Sequence, residues 1–275
     1  MKTKLLLFLL LSAFCVHLQG QIKYEAFSAK QREFQIQQKT LKDQLKTAEN
    51  LTPQVKDSLQ KQLKAMAEAN YKLVRQAIDD NRNDRRFLNV LNNYIRPKIT
   101  SEQYEAELKA FSPEVQATKE WKYEMEYLKN QRLMVAGNPC VDFEATGHDG
   151  KKYRLSEIYQ KNKLTLIDFW ASWCGPCRAS MPHLIELYGK YKSEGLEIVS
   201  VSIDGSKEMW DAAYTKLQLP WIDCSNLGGN TDPLMLTYAF RSIPHKVLVD
   251  SKGIIIGVGF NKPKSLEKEL EKYLK

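Results

Sequence analysis

From Tyr24 to Met134, apolar residues recur every three to four positions, as at Phe27, Phe34, Leu41 and Leu45. Lys, Glu and Gln fill the places between, and no glycine occurs in the stretch. This is the repeat of an amphipathic helix. Start signals divide the run. Thr52 before Pro53 and Ser112 before Pro113 each offer a capping hydroxyl, followed by the one residue that lacks an amide to satisfy. Thr100 with Gln103 has the spacing of a capping box. Helices are therefore predicted over 25–49, 53–79, 84–95, 101–111 and 113–133, the first two able to form an antiparallel hairpin. Nothing in this part points to chemistry, so it reads as a packing or spacer module.

After Gly137 and Pro139 the pattern changes to alternating and continuous apolar runs, which places a domain boundary near 136. The predicted order is a hairpin (141–146, a turn at Asp149 and Gly150, then 152–155), a buried strand over 164–170 and a helix over 174–191. A second buried strand follows over 196–203, with helices over 207–217 and 234–240. A closing hairpin (246–250, 254–260) and a helix over 264–275 complete the chain. Strand, helix and strand in this order give a right-handed crossover and a buried parallel pair. The closing hairpin makes the sheet mixed, so the expectation is an α/β domain over 137–275 preceded by an all-α domain over 21–136.

The first twenty residues stand apart. Lys2 and Lys4 precede an apolar run from Leu5 to Leu11 that continues through Ala13, Phe14 and Val16, and Gly20 offers a small residue before Gln21. This is the layout of a secretory leader, and it falls short of the roughly 20 apolar residues of a membrane-spanning helix. Acylation on Cys15 is the rival reading, disfavoured by the bulky Phe14 beside it. The expected compartment is the periplasm.

Residues 21–136 carry 21 basic against 16 acidic side chains and residues 137–275 carry 18 against 17, so the net charge of +8 sits mainly in the front half. Export and the mixing of signs along helices argue against nucleic acid as a partner. Removal of the leader takes Cys15 and leaves four cysteines in a compartment that tolerates disulfides.

The chemistry lies in Phe169-Trp170-Ala171-Ser172-Trp173-Cys174-Gly175-Pro176-Cys177, at the end of a buried strand and the start of a helix. Unpaired amides and the dipole at a helix N-terminus favour a thiolate, which makes an exposed Cys174 the expected nucleophile. Cys177, one turn further in and more buried, is the expected resolving thiol. A zinc site would need four ligands, yet Cys140, Cys224, His183 and His245 are scattered along the chain. Asp168 falls inside the apolar run, where an unpaired carboxylate is costly and tends to hold its proton near neutral pH. It reads either as an acid-base group or as a strand-end residue with a backbone partner.

The segment LIDFWASWCGPCRASMP, Leu166 to Pro182, resembles thioredoxin. Through Trp173, Arg178 and Met181-Pro182 it resembles the exported TlpA/ResA branch of that superfamily. GNPCVDFEATGHDGKKYRLSEI is similar to the branch's lead-in hairpin and SIPHKVLVDSKGIIIG to its closing hairpin, so the likeness covers about 137–275. It implies a thioredoxin-like mixed sheet flanked by helices and no bound cofactor or metal. It makes Asp168 the proton partner of Cys177, and places Trp173, Gly175, Pro176, Ile243 and a cis Pro244 at the substrate-binding surface. It implies disulfide-bearing exported proteins as substrates and a membrane thiol-disulfide protein as electron donor. Pro182 matches the helix proline of the family.

Two features depart from the branch. Ser180 stands where a glutamate is usual, and His245 where thioredoxins usually carry Thr; His245 either lines the site or is an exposed loop histidine. Cys140 and Cys224 are extra, as two thiols or one disulfide. The reading is an exported protein-disulfide reductase. A thiol peroxidase is the alternative within enzymes, opposed by Ala171 three residues before Cys174, where a peroxiredoxin has Thr or Ser. A non-catalytic binding module using the front helices is the alternative outside them.

Overall fold

The computed structural model describes residues 2–47, 52–260 and 263–274, with side chains over 23–46, 52–260 and 264–274. The side chains of the expected leader, Cys15 among them, and the expected helix end at 49 lie outside the described residues. Among those described, no helix is long and apolar enough to cross a membrane. The chain forms two compact units, 1–125 and 126–275.

The first unit is helical. Helix α1 spans Lys2–Thr47, α2 Pro53–Asp79, α3 Arg86–Val90, α4 Ser101–Lys109 and α5 Pro113–Gln116; α6, Lys119–Leu133, contains the division between the units. Thr52 and Ser112 cap α2 and α5 through their hydroxyls, and Thr100 with Gln103 forms the full capping box of α4. Two expected helices are broken. The one over 84–95 passes from α3 into a π turn, Leu91–Ile95, and a 3-10 turn, Arg96–Lys98, where Pro97 can donate no helical bond. The one over 113–133 restarts at Thr118, whose hydroxyl donates to the Val115 carbonyl at 2.6 Å and accepts from the Trp121 amide. Ile78, Phe87, Leu91, Ile95 and Leu108 are fully buried in this unit.

The second unit is built on a seven-stranded sheet in the order β2-β1-β5-β4-β3-β6-β7. The strands are β1 Glu144–Gly147, β2 Lys152–Arg154, β3 Leu164–Trp170, β4 Leu196–Ser202, β5 Ile222–Ser225, β6 His245–Asp250 and β7 Ile255–Val258. Helices α7 Leu155–Tyr159, α8 Gly175–Tyr191, α9 Lys207–Leu217, α10 Pro233–Thr237 and α11 Pro263–Leu270 connect or flank them. Strands β3, β4 and β5 pair in parallel, and every other pairing is antiparallel. The sheet is therefore mixed and thioredoxin-like.

All seven residues of β3 are buried, as a parallel strand covered on both faces requires. Gly195, at φ 105°, turns the chain from the end of α8 and its 3-10 extension into β4, in the left-handed region that costs glycine little.

The sequence pattern misses β5. Four residues, two of them the polar Asp223 and Ser225, give no apolar run, and it is their burial against β4 that makes them a strand. The second unit also begins before the expected boundary at 136. The Tyr127 hydroxyl donates to the Ala239 carbonyl at 2.6 Å, Asn130 Nδ2 donates to the Leu236 carbonyl at 3.0 Å, and Met134 joins the core around the sheet. Composition assigns the whole of α6 to the helical front; packing assigns its last turns to the α/β unit.

Candidate active site

Strand β3 ends at Trp170, and Ala171 to Trp173 carry the chain to Cys174, the N-cap of α8. Cys174 and Cys177 form a disulfide with Cα atoms 5.3 Å apart. The Cys177 amide, one of the donors a helix start leaves without a helical partner, donates to Cys174 Sγ at 3.2 Å. Pro176 lies in the first turn, where its missing amide costs nothing.

The order of exposure follows the sequence reading, but its degree does not. Cys174 is only 5% exposed and Cys177 is fully buried, because both sulfurs join the core around Trp170 and Ala171. Exposure is carried by their neighbours: Trp173 is 52% exposed, and Gly175 and Pro176 also face solvent. The Ile243-Pro244 peptide is cis, and Ile243 and Pro244 are half-buried. Since His245 pairs with Phe169, Pro244 lies at the end of the sheet where the Cys174 loop begins.

A buried carboxylate holds that loop. Asp204, just past β4, accepts from the Ser172 amide at 2.8 Å, the Ser172 hydroxyl at 2.6 Å and the Ser202 hydroxyl at 2.6 Å. The sequence reading missed Asp204; its one signal is an acidic residue directly after the apolar run 196–203.

Asp168 is buried as expected, but it is neither lone nor backbone-bound. It stands in register with Lys246 on β6 and Ser200 on β4, and Lys246 Nζ lies 2.9 Å from Asp168 Oδ1, with both side chains almost wholly buried. Burial pushes the Asp168 carboxyl above its ordinary range, and the Lys246 ammonium works against that shift. The signal for Lys246 is a lysine opening the predicted strand over 246–250, where a buried face demands a partner for a charge.

His245 projects from the opposite face of β6. It stacks on Phe240 with ring centroids 4.9 Å apart, and its Nε2 is buried without a hydrogen-bond partner among the described residues. Burial, with the Lys246 charge second, lowers its pKa to about 4. Ser180 donates its hydroxyl to the Cys177 carbonyl at 2.8 Å, and Pro182 lies inside α8.

Cys140 and Cys224 are free thiols. Burial and then Asp142 push Cys140 up to about 11, and burial raises Cys224 further, so neither is poised as a nucleophile. Among the described residues no three His, Cys, Asp or Glu side chains converge as a metal site.

A cysteine pair capping the helix that follows the buried strand β3 of a thioredoxin-like sheet defines a thiol-disulfide oxidoreductase. A thioredoxin-like family model matches residues 162–255. The ResA thiol-disulfide oxidoreductase of Bacillus cereus is 30% identical over 149 residues, covering 54% of this chain and 82% of its own. That of Bacillus thuringiensis subsp. konkukian gives the same identity and coverage. The thioredoxin domain of a thiol-disulfide oxidoreductase from Bacteroides vulgatus is 27% identical, covering 48% of this chain and 96% of its own with a TM-score of 0.43. The chain belongs to the ResA family of thiol-disulfide oxidoreductases.

Proposed function

We propose that this protein is exported to the periplasm, where it reduces disulfides of other exported proteins and draws electrons from a membrane-bound thiol-disulfide donor. The observation that carries the reading is the Cys174-Cys177 pair at the start of α8, with its first sulfur facing a helix amide.

In the reduced state that amide and the helix dipole favour a Cys174 thiolate. The thiolate attacks one sulfur of the substrate disulfide, forming a mixed disulfide and releasing the other sulfur, which takes up a proton. Cys177 then loses its proton and attacks Cys174 Sγ, expelling the second substrate sulfur. Two electrons pass to the substrate, and the enzyme is left with the disulfide seen here. Asp168, held near Lys246 inside the sheet, is the group that takes the Cys177 proton. A carboxyl raised by burial suits transfer close to neutral pH.

The direction follows from the spacer. Gly175 and Pro176 place no charged or ring donor against Cys174, so its thiolate has only the helix start to stabilise it; a dithiol less stabilised is the more reducing one. Trp173, Ile243 and Pro244 form the surface that receives the substrate chain.

Single-turnover reduction of insulin is the test. Cys174→Ser should abolish exchange, and Cys177→Ser should accumulate mixed disulfides with its substrates. Complexes captured by Cys174→Ser instead would reverse the two roles. Export is tested apart from chemistry, by the N-terminus of the protein recovered from its native envelope: a start at Gln21 supports the leader as read, a Cys15-acylated start keeps export but replaces that cleavage with lipid anchoring, and an intact start overturns export.

A further inference from the structure

His148 takes no part in the exchange chemistry, yet its ring is fixed on every side. It follows β1, stacks on Tyr214 with centroids 3.8 Å apart and packs against Trp210 at 3.6 Å. Nδ1 lies 2.9 Å from Asp211 Oδ1 and Nε2 lies 3.1 Å from Asp223 Oδ2. The side chain of Asp223, on β5, is fully buried. Its Oδ2 also accepts from Trp210 Nε1 and its Oδ1 from Trp170 Nε1, both at 2.8 Å. Trp170 is the last residue of β3, and the loop to Cys174 starts at the next position.

The proton count of this group is constrained. A neutral imidazole has one N–H, so it can donate to one carboxylate only, and at its other nitrogen two lone pairs would face each other. Both contacts hold at once only when two protons are shared among Asp211, His148 and Asp223. Either an imidazolium sits between two carboxylates, or one of the two acids is protonated and donates to the ring nitrogen it faces while the other nitrogen donates to the remaining carboxylate.

Removing one proton opens one contact. Asp211 is 43% exposed and has Lys207 Nζ at 2.7 Å to turn to. Among the described residues the other donors to Asp223 are the Trp170 and Trp210 indoles, with the Cys224 thiol beside it on β5, so the disturbance passes to Trp170. Among the described residues Asp149 and Tyr153 of β2 also lie beside the ring, with Lys151 Nζ 3.1 Å from Asp149 Oδ2 and the Tyr153 hydroxyl donating to Asp149. Burial raises the Asp223 carboxyl while His148 and the indoles oppose the shift, as expected of a group whose charge depends on these donors.

We infer that His148 and Asp223 are positioning residues for the disulfide exchange: a proton-dependent clamp that fixes the Trp170 indole and, through it, the start of the Cys174 loop. The inference rests on the exchange reading above. The test uses the full-length oxidised protein, following the indole N–H resonances of Trp170 and Trp210 against pH, together with single-turnover reduction by the reduced protein over the same range.

The two indoles should share one midpoint, and His148→Gln should remove it. The exchange rate of wild type should exceed that of His148→Gln by roughly fivefold or more below the midpoint, the lower end of typical coupling between linked groups, and the two should converge above it. A ratio that stays constant with pH marks a structural effect only and overturns the proposal. If His148→Gln does not fold, Asp211→Asn decides: losing one carboxylate that holds the proton should move the shared midpoint to lower pH, and an unchanged midpoint overturns the clamp. Absence of exchange in wild type overturns both readings; normal exchange with indoles that do not titrate together overturns the clamp alone.

Discussion

Asp168 and Lys246 show how one partner changes the meaning of a residue. A lone buried acid would make Asp168→Asn stabilising, since it removes an ionisable group from the core. With the Lys246 ammonium 2.9 Å away and equally buried, the same change leaves a cation unpaired. Asp168→Asn is expected to cost about 3–5 kcal/mol, and replacing both partners by apolar residues, Asp168→Leu with Lys246→Met, should recover most of that, because an apolar replacement of a whole buried pair is often neutral. Urea unfolding of wild type and the two variants measures this. A stabilised Asp168→Asn would show that the pair does not hold in solution.

His245 gives the pH dependence. Its folded pKa of about 4 lies below the ordinary histidine value, so the folded state binds fewer protons than the unfolded chain in between. The stability this group contributes is full above the unfolded value and is lost as pH falls through about 4. The loss amounts to at most about 3 kcal/mol for a shift of this size. His245→Phe keeps the stack on Phe240 and has nothing to protonate, so its stability should fall less on acidification; parallel curves for variant and wild type would remove His245 as the cause.

The elements around the site are held by polar anchors more than by their own propensities. Two residues past the end of β4 stands Asp204, whose carboxylate fixes the loop leaving β3. Asp204→Ala strands the Ser172 amide and two hydroxyls in a buried place. Hydrogen bonds to a charged group are worth about 1.5–3 kcal/mol each, so the expected loss is at least about 3 kcal/mol, together with slower attack by Cys174. Calorimetric melting with a single-turnover assay checks both, and a variant with wild-type melting would mean the loop is held by other contacts. In α8, Pro182 withholds the amide that would bond the Arg178 carbonyl, and the Ser180 hydroxyl turns back to the Cys177 carbonyl. A serine placed there can accept or donate a hydrogen bond but cannot serve as an acid.

For the molecule as a whole, the two compact units invite separation, and the place of the cut matters. A chain of residues 126–275 keeps Tyr127, Asn130 and Met134, with their bonds to Ala239 and Leu236 and their place in the core. It is expected to fold and to reduce a small model disulfide at close to the full-length rate, because every residue of the proposed site lies within it. A chain starting at residue 134 loses both hydrogen bonds and the Tyr127 ring, and should melt lower. Circular dichroism and insulin reduction on the two shortened chains decide; a folded but inactive 126–275 would mean that the helical unit completes the site.

The sequence by itself determined the alternation of the α/β part, the buried parallel pair at its centre, the helix caps at Thr52, Thr100 and Ser112, and the position of Cys174 and Cys177 at a strand-to-helix junction. These are local facts, written in period, capping chemistry and spacing over a few residues. Tertiary structure alone decided the rest: β5, the Asp168 to Lys246 pair across β3 and β6, the Asp204 anchor, the ring of groups about His148, and the passage of α6 into the second unit. Each joins residues far apart in the chain, and each turns a polar or charged side chain from a solvated group into a buried one that must find its partner in another element. The chain order names such residues without showing which of them the fold brings face to face.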